Sequence, residues 1–181
     1  MDHKPSIVET TPLGLPGAGS LAVAPWQWPD EAATQAFAQA LARCPALGQA
    51  FITLHGDLGA GKTTFTRHLL QALGVSGRIK SPTYTIVEAY ERPGLAMWHF
   101  DFYRFNDPQE WEDAGFRDIF ASPGLKLAEW PQKAQGLLPP PDLDLRIHAS
   151  DDGQRQVQAT AYSGCGLALL RALPGPAEGR A

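Results

Sequence analysis

Gly56-Asp57-Leu58-Gly59-Ala60-Gly61-Lys62-Thr63 follows the apolar run Phe51-Ile52-Thr53-Leu54 and opens a segment with helical spacing from Thr64 to Leu73. The spacing G-x-x-x-x-G-K-[ST] is that of a phosphate-binding loop, and each fixed position has a physical reason. Glycines let successive backbone N–H groups curl inward around an anion, where a side chain would clash or forbid the required φ. The following helix then directs its positive dipole end at the same anion. Lys62 is placed to reach β- and γ-phosphates, and the Thr63 hydroxyl to complete the oxygen shell of a Mg²⁺ ion. The loop residues Asp57, Leu58, Gly59, Ala60 and Gly61, with Thr64, form the rest of the expected nucleotide cradle.

The chain has 181 residues, 44% of them hydrophobic, enough for one well-buried core and hence one domain. A formal net charge of −4 argues against unaided binding of nucleic acid, whose phosphates are held by clustered Lys and Arg. Any link to RNA is therefore expected to run through a partner. Cys44 and Cys165 lie far apart in sequence, with no C-x-x-C pair, and read as small apolar residues rather than zinc ligands or a disulfide. No apolar run reaches the length of a membrane span, and Pro16 and Pro25 break the one stretch that faintly echoes a signal peptide. A cytoplasmic location without membrane contact is the expectation.

Residues 1–28 are rich in Pro, Gly and Thr without periodicity and read as a flexible N-terminal extension. Pro29-Asp30-Glu31 starts an amphipathic helix that ends near Cys44-Pro45. Ala50 to His55 is a buried strand, followed by the loop and by a helix stopped at Gly74. Ser81 to Val87 leads from a polar loop into a strand, and Arg92-Pro93-Gly94 turns it into Leu95 to Phe100, an antiparallel hairpin. Asp107-Pro108 starts a short helix, Gln109 to Asp113. Leu125 to Trp130 is another apolar strand. After Pro139-Pro140-Pro141, Asp142 to Ile147 and Gln154 to Tyr162 add strands to the same sheet, and Leu167 to Leu173 is a last helix. The expected fold is α/β, a P-loop NTPase-like three-layer sandwich with a mixed sheet. Its single ATPase domain spans 29–173, with a tail at 174–181.

Three further sites would complete a nucleotide machine. Asp101 ends the apolar strand Ala96-Met97-Trp98-His99-Phe100, as a Walker B carboxylate does. Glu129 ends Leu125-Lys126-Leu127-Ala128 in the same way. One acid would hold the metal while the other orients or deprotonates water, and spacing alone leaves that assignment open. Ser81, Thr83 and Thr85 place hydroxyls on a loop where P-loop proteins keep a switch that senses the γ-phosphate. Trp130 is a candidate for stacking or partner contact, against the commoner role of an apolar filler. His55 and His99 read as satisfied core or edge histidines, and Arg104 and Arg117 as solvated ion pairs. No Asn-Lys-x-Asp motif exists and no Gly stands at the third position after Asp101, so ATP is favoured over GTP.

Taken together, Gly56 to Thr64 (GDLGAGKTT), Lys80 to Val87 (KSPTYTIV), His99 to Arg104 (HFDFYR), Glu112 to Asp118 (EDAGFRD) and Ala128 to Pro131 (AEWP) resemble the TsaE (YjeE) family in order and spacing. The resemblance runs from about Pro29 to about Tyr162. It implies a P-loop ATPase of bacterial tRNA threonylcarbamoyladenosine biosynthesis. Such a protein is not the transferase; it binds a TsaB–TsaD complex and hydrolyses ATP slowly to reset it, touching tRNA only indirectly. The implied cofactors are ATP and Mg²⁺. By that resemblance Lys62 binds phosphate, Thr63 and Glu129 ligate Mg²⁺, Asp101 is catalytic or a further metal-shell group, and Thr34 lies near the nucleotide. The first 28 residues have no counterpart in the family pattern, and Ala114-Gly115-Phe116 replaces a commoner MGI-like triplet. Two other readings stay open: a small-molecule kinase, for which the second half of the chain lacks the usual Arg cluster, and a non-catalytic ATP-gated interaction module.

Overall fold

The computed structural model describes residues 19–175. One seven-stranded sheet runs through the molecule in the order β1-β7-β6-β2-β5-β4-β3. The strands are β1 (Ala22–Trp28), β2 (Phe51–His55), β3 (Val87–Arg92), β4 (Leu95–Asp101), β5 (Leu125–Glu129), β6 (Leu143–Ala149) and β7 (Arg155–Ala161). β6, β2, β5 and β4 are parallel, while β7 and β1 continue one edge antiparallel and β3 closes the other. This is the mixed-sheet, three-layer α/β sandwich expected from the sequence.

Alternation within the strands splits the core between two faces, because successive side chains point to opposite sides. Ile52 and Leu54 face one way, towards Phe37 and Leu41 of α1 (Glu31–Ala42), Phe65 and Leu69 of α2 (Lys62–Ala72) and Leu169 of α5 (Gly164–Ala172). Phe51, Phe100 and Ala128 face the other, towards Trp111 of α3 (Pro108–Asp113) and Phe116 of α4 (Phe116–Ala121). There Phe100 stacks on Phe102 at 5.5 Å and meets Phe116 edge-on at 5.3 Å, each such pair contributing about 0.5–1.5 kcal/mol beyond burial. Beyond β2 that second face carries no helix among the described residues. β6 and β7 show water Arg146 opposite Gln158 and His148 opposite Gln156, the usual polar face of an antiparallel edge.

Asp30 caps α1 as the sequence indicates, its carboxylate accepting from Ala33 N at 2.9 Å, an arrangement worth about 1 kcal/mol. Two expectations are corrected. Ala22–Trp28, assigned above to a flexible extension, form an edge strand paired with β7 along seven registered positions. Trp28 anchors it, 2% exposed and stacked on Phe65 at 5.9 Å. Residues 1–18 of that extension, and 176–181 of the tail, lie outside the described residues. The second correction is α4, an added helix entered through Gly115 at φ +67. Cys44 and Cys165 are half-buried against the core, and their thiols donate to Ala168 O and Ala46 O of facing segments. No helix among the described residues is long and apolar enough to cross a membrane.

Candidate nucleotide site

The loop leaves β2 at its C-terminal end, where a doubly wound sheet opens its ligand crevice. Gly56 is required there by closeness. Its φ is +150, and a β-carbon would lie 2.5 Å from Ile147 O on β6 and 2.9 Å from the Ala60 side chain. Gly61, at φ +112, then turns the chain into α2, whose first N–H groups have no acceptor within the helix.

Lys62 is 4% exposed and folds back over its own loop. Its Nζ donates to Gly56 O at 2.5 Å and Asp57 O at 2.9 Å, 4.3 Å from the centre of the Trp130 ring. Burial pulls the Lys62 ammonium below the usual lysine range, and Glu129, Asp101 and Asp57 oppose that shift. On the other side of the loop Arg155, from β7, donates Nε to Ala60 O at 2.8 Å and Nη2 to Gly59 O at 3.4 Å. The loop is thus held from within by a lysine that anion binding would recruit, and from outside by an arginine that keeps the carbonyls turned away.

The two carboxylates predicted at strand ends are neighbours: Asp101 and Glu129 are the last registered pair of β4 and β5. Both are almost wholly buried. Glu129 accepts from the Thr63 hydroxyl, 2.9 Å to Oε1 and 3.1 Å to Oε2. Asp101 is held by the Ser81 hydroxyl on Oδ2 and by Tyr103 N on Oδ1 at 2.9 Å, with Thr83 Oγ1 at 3.5 Å from Oδ2. Strand ends, helix start and hydroxyl loop therefore enclose one cleft of about 310 Å³.

Of the residues singled out in the sequence, Leu58, Gly59, Gly61, Lys62, Thr63, Thr64, Ser81, Thr83, Asp101, Glu129 and Trp130 line that cleft. Asp57 and Ala60 belong to the loop without lining it, and neither Thr85 nor Thr34 lines it; Thr34 is buried in α1. Trp130 packs on Tyr103, ring centres 5.0 Å apart. Arg104 lies 4.8 Å over the ring of Tyr84, and Arg117 forms an exposed ion pair with Glu112 at 2.7 Å. The sequence reading missed Tyr103 and Arg155. Tyr103 lies within the quoted HFDFYR stretch, whereas only cross-strand register brings Arg155 to the loop.

A model of the TsaE family, described as threonylcarbamoyl adenosine biosynthesis protein TsaE, matches residues 28–157. The chain belongs to the TsaE family. It is 43% identical over 136 residues to a Haemophilus influenzae protein named tRNA threonylcarbamoyladenosine biosynthesis protein TsaE, covering 75% of this chain and 85% of that one. A Bacillus subtilis protein of the same name is 40% identical over 110 residues, covering 61% and 68%. Among solved structures, Bacillus subtilis YdiB superposes with a TM-score of 0.67 at 30% identity, covering 82% of this chain and 92% of that one. All five TsaE-like stretches quoted from the sequence fall inside the matched range.

The donor set fits a hard divalent cation. Thr63, Glu129 and Asp101 offer only oxygen, and no group of three or more His, Cys, Asp or Glu is clustered for a metal among the described residues. Mg²⁺ is held in this way, by one or two protein oxygens completed by phosphate and water.

Proposed function

We propose that this TsaE-family chain binds Mg–ATP in the Lys62–Glu129 cleft and hydrolyses it slowly, in support of threonylcarbamoyl transfer to adenosine in tRNA by a TsaB–TsaD complex. The observation that carries the reading is the joining of Thr63 to Glu129 with Asp101 registered beside it, at the mouth of a phosphate-binding loop. The names of the Haemophilus and Bacillus relatives support the pathway.

When bound, the magnesium ion would neutralise charge on the phosphate oxygens. The chain's own residues do the rest. Lys62 exchanges its bonds to Gly56 O and Asp57 O for phosphate oxygens. Thr63 and Glu129 hold the metal side. Asp101, fixed by Ser81 and Tyr103 N, orients water or accepts its proton, and the Ser81 and Thr83 hydroxyls sense whether the terminal phosphate is present. Trp130 and Tyr103 wall the cleft and lower the local dielectric. Lys62 is the one Lys or Arg lining the cleft among the described residues, so a partner is needed to complete the charge around the leaving group, and the protein alone is slow.

Phosphate release measured with the purified chain, with and without TsaB–TsaD, tests this reading. Slow turnover that the pair stimulates and Asp101→Asn removes supports it. Fast turnover by the chain alone, or turnover unchanged by Asp101→Asn, overturns the assigned roles. Stimulation by a metabolite rather than by the pair would mark a kinase.

A further inference from the structure

We propose that His99 is the positioning residue of the metal side: its Nε2–H holds the Glu129 carboxylate where it meets Thr63, and so sets the site's affinity for a divalent cation. The inference rests on Glu129 being the metal-side acid. His99 sits two residues before Asp101 on β4, so the alternation of the strand points both side chains to the α2 face. Its neighbour across the ladder is Leu127, two residues before Glu129.

Glu129 Oε1 has two partners, Thr63 Oγ1 at 2.9 Å and His99 Nε2 at 2.8 Å. A carboxylate oxygen accepts, so the hydrogen of this bond sits on Nε2. Nδ1 is buried with no hydrogen-bond partner among the described residues, and the ring is 0% exposed. An N–H left there would cost more than a lone pair, which gives a second reason for the same tautomer. An apolar side chain at this position would leave no such orphan. What it would not supply is the one donor that fixes Glu129 from behind.

Glu129 needs that donor because Thr63 holds it from one side only, and Thr63 has to turn its oxygen to the metal when nucleotide arrives. With His99 in place the carboxylate keeps its rotamer through that exchange. Without it the acid is free to swing within the cleft. Outer-shell partners of this kind change metal affinity about 10–100-fold.

The test titrates Mg²⁺ into wild-type protein with saturating ATP, following binding by calorimetry, and repeats ATP binding in EDTA. His99→Phe is expected to raise the Mg²⁺ half-saturation about tenfold or more, with ATP affinity in EDTA within about twofold of wild type. His99→Gln, whose amide nitrogen falls near the position of Nε2, is expected to recover most of the loss, and the shorter His99→Asn is not. A Mg²⁺ requirement unchanged in His99→Phe, or equal impairment in the Gln and Phe variants, overturns the inference. Nitrogen NMR of folded wild-type protein reads the tautomer without any substitution: Nε2–H supports the proposal, and Nδ1–H overturns it. Glu129→Gln separates the two levels. If it leaves the Mg²⁺ requirement unchanged, the metal-side reading of Glu129 fails and the role of His99 fails with it; if it raises the requirement while His99→Phe does not, only the inference falls.

Discussion

Gly56→Ala puts the closeness of loop and sheet to a direct test. The added methyl would sit 2.5 Å from Ile147 O and 2.9 Å from the Ala60 side chain, whereas real β-carbons keep beyond 3.0 Å. About 0.5 Å of separation has to be found between the end of β2 and β6, and both obstacles are fixed: one is a strand carbonyl, the other the β-carbon of the loop itself. Overpacking of this size costs about 1–3 kcal/mol. Holding an alanine at φ +150 adds about 1–3 kcal/mol. A mid-range total of about 4 kcal/mol, at about 2–4 °C per kcal/mol for a domain of this size, lowers Tm by about 8–16 °C. Far-UV circular dichroism melts measure that shift, and calorimetry with Mg–ATP measures the damage to the loop, which the same displacement opens. A Tm within about 2 °C of wild type would refute the steric argument.

Lys62→Ala removes both the phosphate donor and the cation facing Glu129 and Asp101, so ATP affinity by calorimetry is expected to fall about a hundredfold or more, about 2.7 kcal/mol; near-wild-type affinity would contradict the loop reading. Arg155→Ala releases Gly59 O and Ala60 O without touching the cleft, and is expected to weaken ATP binding about tenfold while Arg155→Lys recovers part of it. Asp144, 1% exposed, accepts from Thr53 at 2.6 Å and His55 at 2.7 Å and carries Arg146 at 3.2 Å. Burial would raise its pKa, but the His55 and Thr53 hydrogen bonds and the His55 and Arg146 charges outweigh burial and hold it below the ordinary 3.8. A depressed acid stabilises the fold above its unfolded pKa and loses that contribution as pH falls through the folded value. The gap in stability between wild type and Asp144→Asn, from denaturant melts, is therefore expected to be full at neutral pH and to shrink below about pH 4; a gap that widens on acidification would refute the assignment.

What could be read from the sequence was local. The glycine-rich loop between β2 and α2, the Asp30 cap and the strand ends carrying Asp101 and Glu129 are decided by residues within a few positions of one another, and they lie at the places in the fold that were expected. β1 escaped because Pro25 interrupts its pattern and because its stability comes from β7, more than a hundred residues further on. α4 escaped because six residues leave little periodicity, and Phe116 folds there by packing into the aromatic face. The supporting residues were the least legible. Arg155, His99 and Asp144 act on partners that only register brings near, so a histidine in an apolar strand reads the same whether it steadies a carboxylate or merely fills space.

Trp130 has φ +55, a left-handed backbone that glycine adopts freely and an indole-bearing residue does not. A chain optimised for folding alone would place Gly or Asn here. The bulky ring instead lies against Lys62 and Tyr103, immediately after Glu129. On the proposed function, position 130 is one where thermal robustness and ligand chemistry pull in opposite directions. Replacement by glycine would relax the backbone and at the same time leave Tyr103 as the one aromatic ring lining the cleft among the described residues, so a hardened version of this protein has to find its extra stability elsewhere.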